Sequence, residues 1–144
     1  MEYVAADGSR QRPIMIHRAI FGSLERFFGI LIENYAGDFP LWLAPVQVRL
    51  LPVSEAQRDY ANEVGKTLVS KGYRAEVDVS GARLGKQIRT AELEKIPVTA
   101  VIGQREVESQ SLSIRTRKSG DLGALTVSDV IEKLEGAIAQ KNTF

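Results

Sequence analysis

Two hydrophobic patterns divide this chain. Up to residue 35 the apolar positions come in blocks: Ile14-Met15-Ile16, then Leu24, Phe27, Phe28, Leu31 and Ile32 at helical spacing. The first block predicts a strand, and Met1–Arg12 with its Asp7-Gly8 turn predicts the strand before it, so that Met1–Ile20 reads as a hairpin. The second block predicts a helix ending near Tyr35, with Gly22 bending the chain and Ser23 capping it. Ile30 spreads the apolar surface beyond one face, and a helix of that kind is normally buried in a larger body. One hairpin and one helix cannot bury so much apolar surface by themselves. His17, Arg18, Glu25 and Arg26 sit in this surround, and the ionised ones are costly to bury unless paired or facing a ligand.

Ala36–Pro45 interrupts the pattern. Gly37 can end the helix, Pro40 and Pro45 break any regular continuation, and Trp42 with its leucine neighbours predicts a segment packed down. From Val46 strands and helices alternate. Val46–Val53 is a strand, and Ser54 with Gln57 fits a capping box for a helix with Tyr60, Ala61, Val64 and Leu68 on its inner face. That helix stops at Gly72, and Arg74–Val79 alternates as a half-buried strand does. A second helix covers about Leu84–Lys95, with Leu84, Ile88 and Ala91 inward. Val98–Ile102 is a short apolar strand suited to a sheet interior. Ser111–Arg117 alternates again, with Leu112, Ile114 and Thr116 on one side. Thr126 caps a last helix striped by Val127, Val130, Ile131, Leu134 and Ile138. This order implies a parallel or mixed sheet with helices on its faces.

Composition narrows the chemistry. At 144 residues, 44% hydrophobic and 26% charged, the chain has enough for one domain with a sizeable core. There is no Cys and a single His, so disulfides are excluded and an ordinary zinc site cannot be assembled from this chain alone. A formal net charge of +1 means that nucleic-acid binding would come from a local patch. The charges inside Ile14–Ile32 argue against a membrane span, and no signal-peptide pattern opens the chain, so a cytoplasmic location is expected.

The stretch RPIMIHRAIFGSLERFFGILIENYAG followed by FPLWLAPVQV resembles motif 3 of the class II aminoacyl-tRNA synthetases, in the form found in threonyl-tRNA synthetases of the bacterial type. The likeness continues through GARLGKQIRTAELEKIPVTAVIGQREVE and SIRTRKSGDLGALTVSDVIEKL, and so covers essentially the whole chain. It implies a C-terminal portion of such an enzyme. Residues 1–38 would be the end of the catalytic domain, 39–45 a linker and 46–144 an anticodon-binding domain. The implied fold is α/β: a mixed, mostly parallel five-stranded sheet with three flanking helices, preceded by a hairpin and a helix.

The resemblance gives several residues roles beside their plainer readings. Arg26 is either a helix-surface cation paired with Glu25 or Glu33, or the motif 3 arginine on ATP phosphates, where a planar, permanently charged guanidinium suits a departing pyrophosphate. His17 is either a hydrogen-bonded core residue or one ligand of the zinc that holds threonine in the intact enzyme. Its upstream partners are missing here, so zinc is expected to be absent from this chain alone. Ser23 is a plain helix cap or a contact in the same pocket. Arg83, Lys86 and Arg89 lie along one side of a helix, and Arg115 and Arg117 share one strand face next to Lys118. These are either a solvated basic surface or an RNA-binding one. By family position Glu106 and Arg115 would contact anticodon bases, with Arg89 nearby and Arg117 on the backbone.

Three functions compete. The first is part of a threonine–tRNA ligase that binds the anticodon of tRNA(Thr), in an enzyme using threonine and ATP, inactive as this chain alone and expected to be a homodimer. The second is a stand-alone nucleotide- or phosphate-binding module, against which no Gly-rich phosphate loop follows any strand. The third is a synthetase-derived interaction module that dimerises through residues 13–35 and lacks ligase activity.

Overall fold

In the computed structural model, which describes residues 1–141 and 144, the first turn of the chain is made by Asp7 and Gly8. Gly8 takes a φ of +80°, a left-handed conformation that glycine adopts without a Cβ penalty. Asp7 Oδ1 accepts from the Ser9 hydroxyl at 2.7 Å and from its backbone N–H at 3.0 Å, and these bonds hold the Asp7 carboxyl below its ordinary pKa. The turn joins β1 (Tyr3–Val4) to β2 (Arg10–Gln11), which pair antiparallel with Tyr3 opposite Gln11.

The hairpin is therefore shorter than its sequence suggests. Ile14–Ile16 form no strand, and no regular structure follows β2 until the helix. Apolar, β-prone residues become a strand only when a neighbour accepts and donates along them. Here β1 is already used by β2, and Pro13 has no N–H to give.

Helix α1 (Leu24–Tyr35) begins as expected. Ser23 Oγ accepts from Arg26 N at 3.4 Å, and Phe21 stacks on Phe27 with ring centroids 4.3 Å apart. It ends with Gly37 at φ +75°, whose N–H donates to the Ile32 carbonyl at 3.1 Å. Its burial differs from expectation: no α1 residue is buried, and Leu24, Phe28 and Ile30 are more than half exposed. His17, Arg18, Glu25 and Arg26 are exposed too, so none of them is a buried group in need of a partner. Two compact units are distinguished, Met1–Leu31 and Ile32–Phe144, with the division inside α1.

The second unit holds the core. Its elements are β3 (Val48–Pro52), a 3₁₀ turn (Glu55–Gln57), α2 (Arg58–Ser70), β4 (Ala75–Val77), α3 (Leu84–Leu93), β5 (Val98–Ile102), α4 (Gln104–Ser109), β6 (Ser111–Thr116), β7 (Gly120–Thr126) and α5 (Val127–Ala139). The five strands form one sheet in the order β4-β3-β5-β6-β7. β3 pairs in parallel with β4 and β5, whereas β5–β6 and β6–β7 are antiparallel. The sheet is thus mixed in equal parts, because β6 and β7 return as a hairpin.

Alternation along three strands builds this core. Val48, Leu50, Val98, Ala100, Ile102, Leu112 and Ile114 point to one face and are fully buried. Ala61, Val64 and Leu68 of α2 and Val130, Leu134 and Ala137 of α5 cover them. Leu51 and Ala91 are also fully buried but lie outside that cluster, on the opposite face, where α3 packs against β3. Ahead of the sheet, Ala36–Pro45 is packed down as predicted, and Val46 and Gln47, read as the start of a strand, precede β3. Leu41 is 1% exposed, Gln47 Nε2 donates to the Leu41 carbonyl at 2.9 Å, and Arg74 donates to the carbonyls of Ala44 and Trp42.

Two elements escaped the periodicity. α4 is six residues long with Val107 as its sole apolar side chain, too short to show a stripe. β7 reads GDLGALT, and a bulge breaks its alternation: Ile114 faces Gly123 and Arg115 faces Asp121, leaving Leu122 unpaired.

Truncating Ile114 to Ala should lower unfolding stability by about 2–5 kcal/mol in a urea titration, while Leu122→Ala on the bulge should cost less than about 1 kcal/mol. Equal effects would overturn this assignment of the core face.

Candidate nucleic-acid interface

The same alternation that buries even-numbered residues turns odd-numbered ones to the α3 face. Strand register there sets Glu76, Arg49, Thr99, Arg115 and Asp121 side by side across all five strands. Arg49 is the enclosed member, with its side chain 11% exposed. Burial pulls its pKa down, but hydrogen bonds and charge from Glu94 and Glu76 outweigh that and raise it. This cation is satisfied within the fold.

Arg115 is placed differently. Thr99 Oγ1 donates to its carbonyl at 3.2 Å and fixes the backbone, yet its side chain is 49% exposed. Its ion-pair partner is Glu92 of α3, at 3.8 Å, loose enough to exchange for another acceptor. Arg117, past the end of β6, is tied down. Its Nε lies 3.3 Å from Asp38 and its Nη1 donates to the Glu92 carbonyl at 2.7 Å. Glu92 therefore gathers both arginines, one through its carboxylate and one through its backbone. Arg89 is exposed on α3 three residues before Glu92, on the same side of the helix. Arg115, Arg117 and Arg89 thus gather around the C-terminal half of α3.

Glu106 is not in that group. It occupies the first turn of α4, beyond the C-terminal end of β5, whereas Arg115 lies opposite Thr99 near the start of β5. Three residues of strand separate these levels, roughly 10 Å at the usual rise. Glu106 Oε2 accepts from Gly103 N at 2.9 Å and so closes the N-terminus of its own helix. A Cβ at position 103 would meet Glu106 Oε2 at 2.9 Å and would make that flexible carboxylate shift away from the Gly103 amide.

Sequence reasoning missed Glu92 and Arg49. Nothing local marks either, because each acts through partners that only strand register and helix docking bring near.

In the first unit, Ser23 has the geometry of a cap. It also donates to Glu25 Oε2 at 2.9 Å, and with the Glu25 backbone bond this lowers the Glu25 carboxyl pKa. Arg26 is exposed, and the ion pair with Glu25 or Glu33, one of its two readings, is not formed among the described residues. His17 is exposed as well. Among the described residues no group of three or more His, Cys, Asp or Glu could hold a metal ion, so the residues present do not fit a zinc site. No helix among the described residues is long and apolar enough to cross a membrane.

Residues 47–136 match the family described as the Anticodon binding domain. The chain is 66% identical over 141 residues to the threonine–tRNA ligase of Synechococcus elongatus and 62% identical over 144 residues to that of a Synechocystis species. These alignments cover 98% and 100% of this chain but 23% and 24% of the relatives, so the chain spans about a quarter of their length. Among solved structures, the RNA binding domain of threonyl-tRNA synthetase from Cryptosporidium parvum superposes with a TM-score of 0.77 at 32% identity, covering 94% of this chain and 34% of that one. A prolyl-tRNA synthetase from the same organism shares the fold with a TM-score of 0.63 at 23% identity, over 70% of this chain and 22% of that one.

Glu106→Ala should lower stability by about 0.5–2 kcal/mol through loss of the α4 cap, and Arg115→Ala by no more than about 1 kcal/mol, as an exposed pair does. Thermal or urea unfolding of the two variants distinguishes a structural group from an interface group.

Proposed function

The chain belongs to the family of anticodon binding domains, and on that premise we propose that it binds the anticodon loop of a tRNA, tRNA(Thr) in preference to others, as the RNA-recognition part of a threonine–tRNA ligase. The family match over residues 47–136 carries this reading, and the half-exposed side chain of Arg115 supports it. A forked, permanently charged donor can bond two acceptors on one base edge, and unstacked loop bases expose such edges. The Glu92 carboxylate would be released from Arg115 as the base takes its place. Glu106 has one oxygen on the Gly103 amide, and the other is suited to accept from a base amino or imino group. Arg89, free at the surface, and Arg117, held by Asp38 and Glu92, suit the RNA backbone.

The same reading divides the chain into residues 1–38 from a catalytic domain, a linker at 39–45, and an RNA-binding domain from 46 onward. Residues 142 and 143 of that domain lie outside the described residues. It makes Arg26 a contact to ATP phosphates and Ser23 a cap that sets the helix carrying it, in a cytoplasmic enzyme that activates threonine with ATP.

A second reading is favoured by one observation. Ile14 is 91% exposed and Ile16 86%, and Phe28 and Ile30 are more than half exposed. A patch of this kind is seldom left in water, and on this reading residues 13–35 self-associate.

An anticodon stem-loop of tRNA(Thr) should bind more tightly than a scrambled loop at moderate salt, and Arg115→Ala should weaken it by about 10-fold or more. Equal binding of both loops defeats the RNA reading. Sedimentation at high concentration should show a dimer, and a strictly monomeric mass defeats the second reading.

A further inference from the structure

Among the described residues Glu92 is the one carboxylate within ion-pair distance of Arg115, and the two side chains are 55% and 49% exposed. The neighbouring acids are engaged elsewhere. Glu94 pairs with Arg49, Asp38 with Arg117, and Asp121, opposite Arg115 on β7, accepts from the Gly123 N–H at 2.8 Å.

The Glu92–Arg115 pair is loose, at 3.8 Å, yet Glu92 cannot drift far. Its backbone carbonyl accepts from Arg117 Nη1 at 2.7 Å, and Arg117 Nε lies 3.3 Å from Asp38. When Arg115 turns to an outside acceptor, the Glu92 carboxylate therefore stays beside it.

That neighbour treats two kinds of acceptor differently. A phosphate drawn to Arg115 meets a second anion a few ångströms away, and the repulsion cancels part of the attraction. A base edge is neutral and carries amino or imino donors beside its acceptors. Arg115 can donate to the acceptors while Glu92 accepts from the donors. Without the carboxylate, Arg89, Arg115 and Arg117 would hold any RNA by its phosphates, the contact that is blind to sequence. An element that opposes the wrong ligand raises specificity without tightening the right one.

We propose that Glu92 is a specificity-determining residue, whose carboxylate turns Arg115 from a phosphate anchor into a reader of neutral base edges. The inference rests on the anticodon-loop reading and adds a residue to which neither the family resemblance nor the periodicity gives a role.

The test compares three RNAs: the anticodon stem-loop of tRNA(Thr), a scrambled loop, and a single strand of abasic nucleotides, which offers phosphates alone. Glu92→Gln keeps an acceptor oxygen and removes the charge, and the bond from Arg117 survives because it ends on the backbone. This variant should bind the abasic strand and the scrambled loop about 2- to 5-fold more tightly, as loss of one half-exposed charge allows. Binding of the tRNA(Thr) loop should be unchanged or weaker, so discrimination falls. The salt dependence of abasic-strand binding should steepen by about 0.7 in log–log slope, the mark of one added phosphate contact. With Arg115→Ala in the background these changes should vanish. Glu132→Gln, on the helix that covers the opposite face, alters net charge equally and should leave discrimination intact.

The proposal is overturned if Glu92→Gln tightens all three RNAs by one factor, if it tightens none, or if its effect persists without Arg115. Equal binding of both loops by the unmodified chain defeats the anticodon reading and this inference with it. Discrimination that survives Glu92→Gln unchanged defeats the role of Glu92 alone.

Discussion

The two-residue period of β3, β5 and β6 governs this structure. Because successive side chains leave opposite faces, one register choice seats Val48, Leu50, Ala100 and Ile114 under α2 and α5 and commits Arg49, Thr99 and Arg115 to the other side. A slip by one residue would exchange the sets and place two arginines in the core. The hydrophobic core and the polar row thus depend on one constraint. The sheet cannot bury its apolar face without presenting that row.

Within the row, position decides what a charge can do. Arg49 lies on β3, inside the sheet, between two carboxylates and is nearly enclosed, so it serves as an internal tie among β3, β4 and the end of α3. Arg115 lies two strands away, where α3 no longer covers the sheet, and has one distant carboxylate. Coulomb attraction at such separations is weak when half the group is in water, so Arg115 stays available. Several other cations are occupied. Arg74 holds the Trp42 and Ala44 carbonyls, Lys95 donates to the Ala36 carbonyl, and Arg117 joins Asp38 to α3. Arg74, Lys95 and Arg117 thus fasten residues 36–47 to the rest of the second unit, whereas Arg83, Lys86 and Arg89 are exposed along α3.

Legibility followed the length scale of the signal. The buried stripe of α5 and its Thr126 cap, the β5 run and the alternation of β6 were all readable, because each is decided within a few residues. α4 was not, having too few residues to express a period, nor was β7, whose alternation the bulge resets. The strand expected over Ile14–Ile16 had the right composition but no partner to pair with. Of the candidate contacts, Arg115 and Arg89 were legible as basic residues on ordered elements. Glu106 was legible as a carboxylate, but not as the cap of α4.

By itself the sequence determined the elements of the second unit other than α4 and β7, the face most of them would bury, the family resemblance and the absence of thiol chemistry. Local hydrogen-bonding rules and the solvent preference of each side chain suffice for that. Tertiary structure alone decided which cations are occupied and which are free, and that Glu92 would meet Arg115 and Arg117. Those outcomes depend on strand order and helix docking between residues far apart in the chain, as with Lys95 and Ala36, 59 positions apart, and no local period encodes such distances.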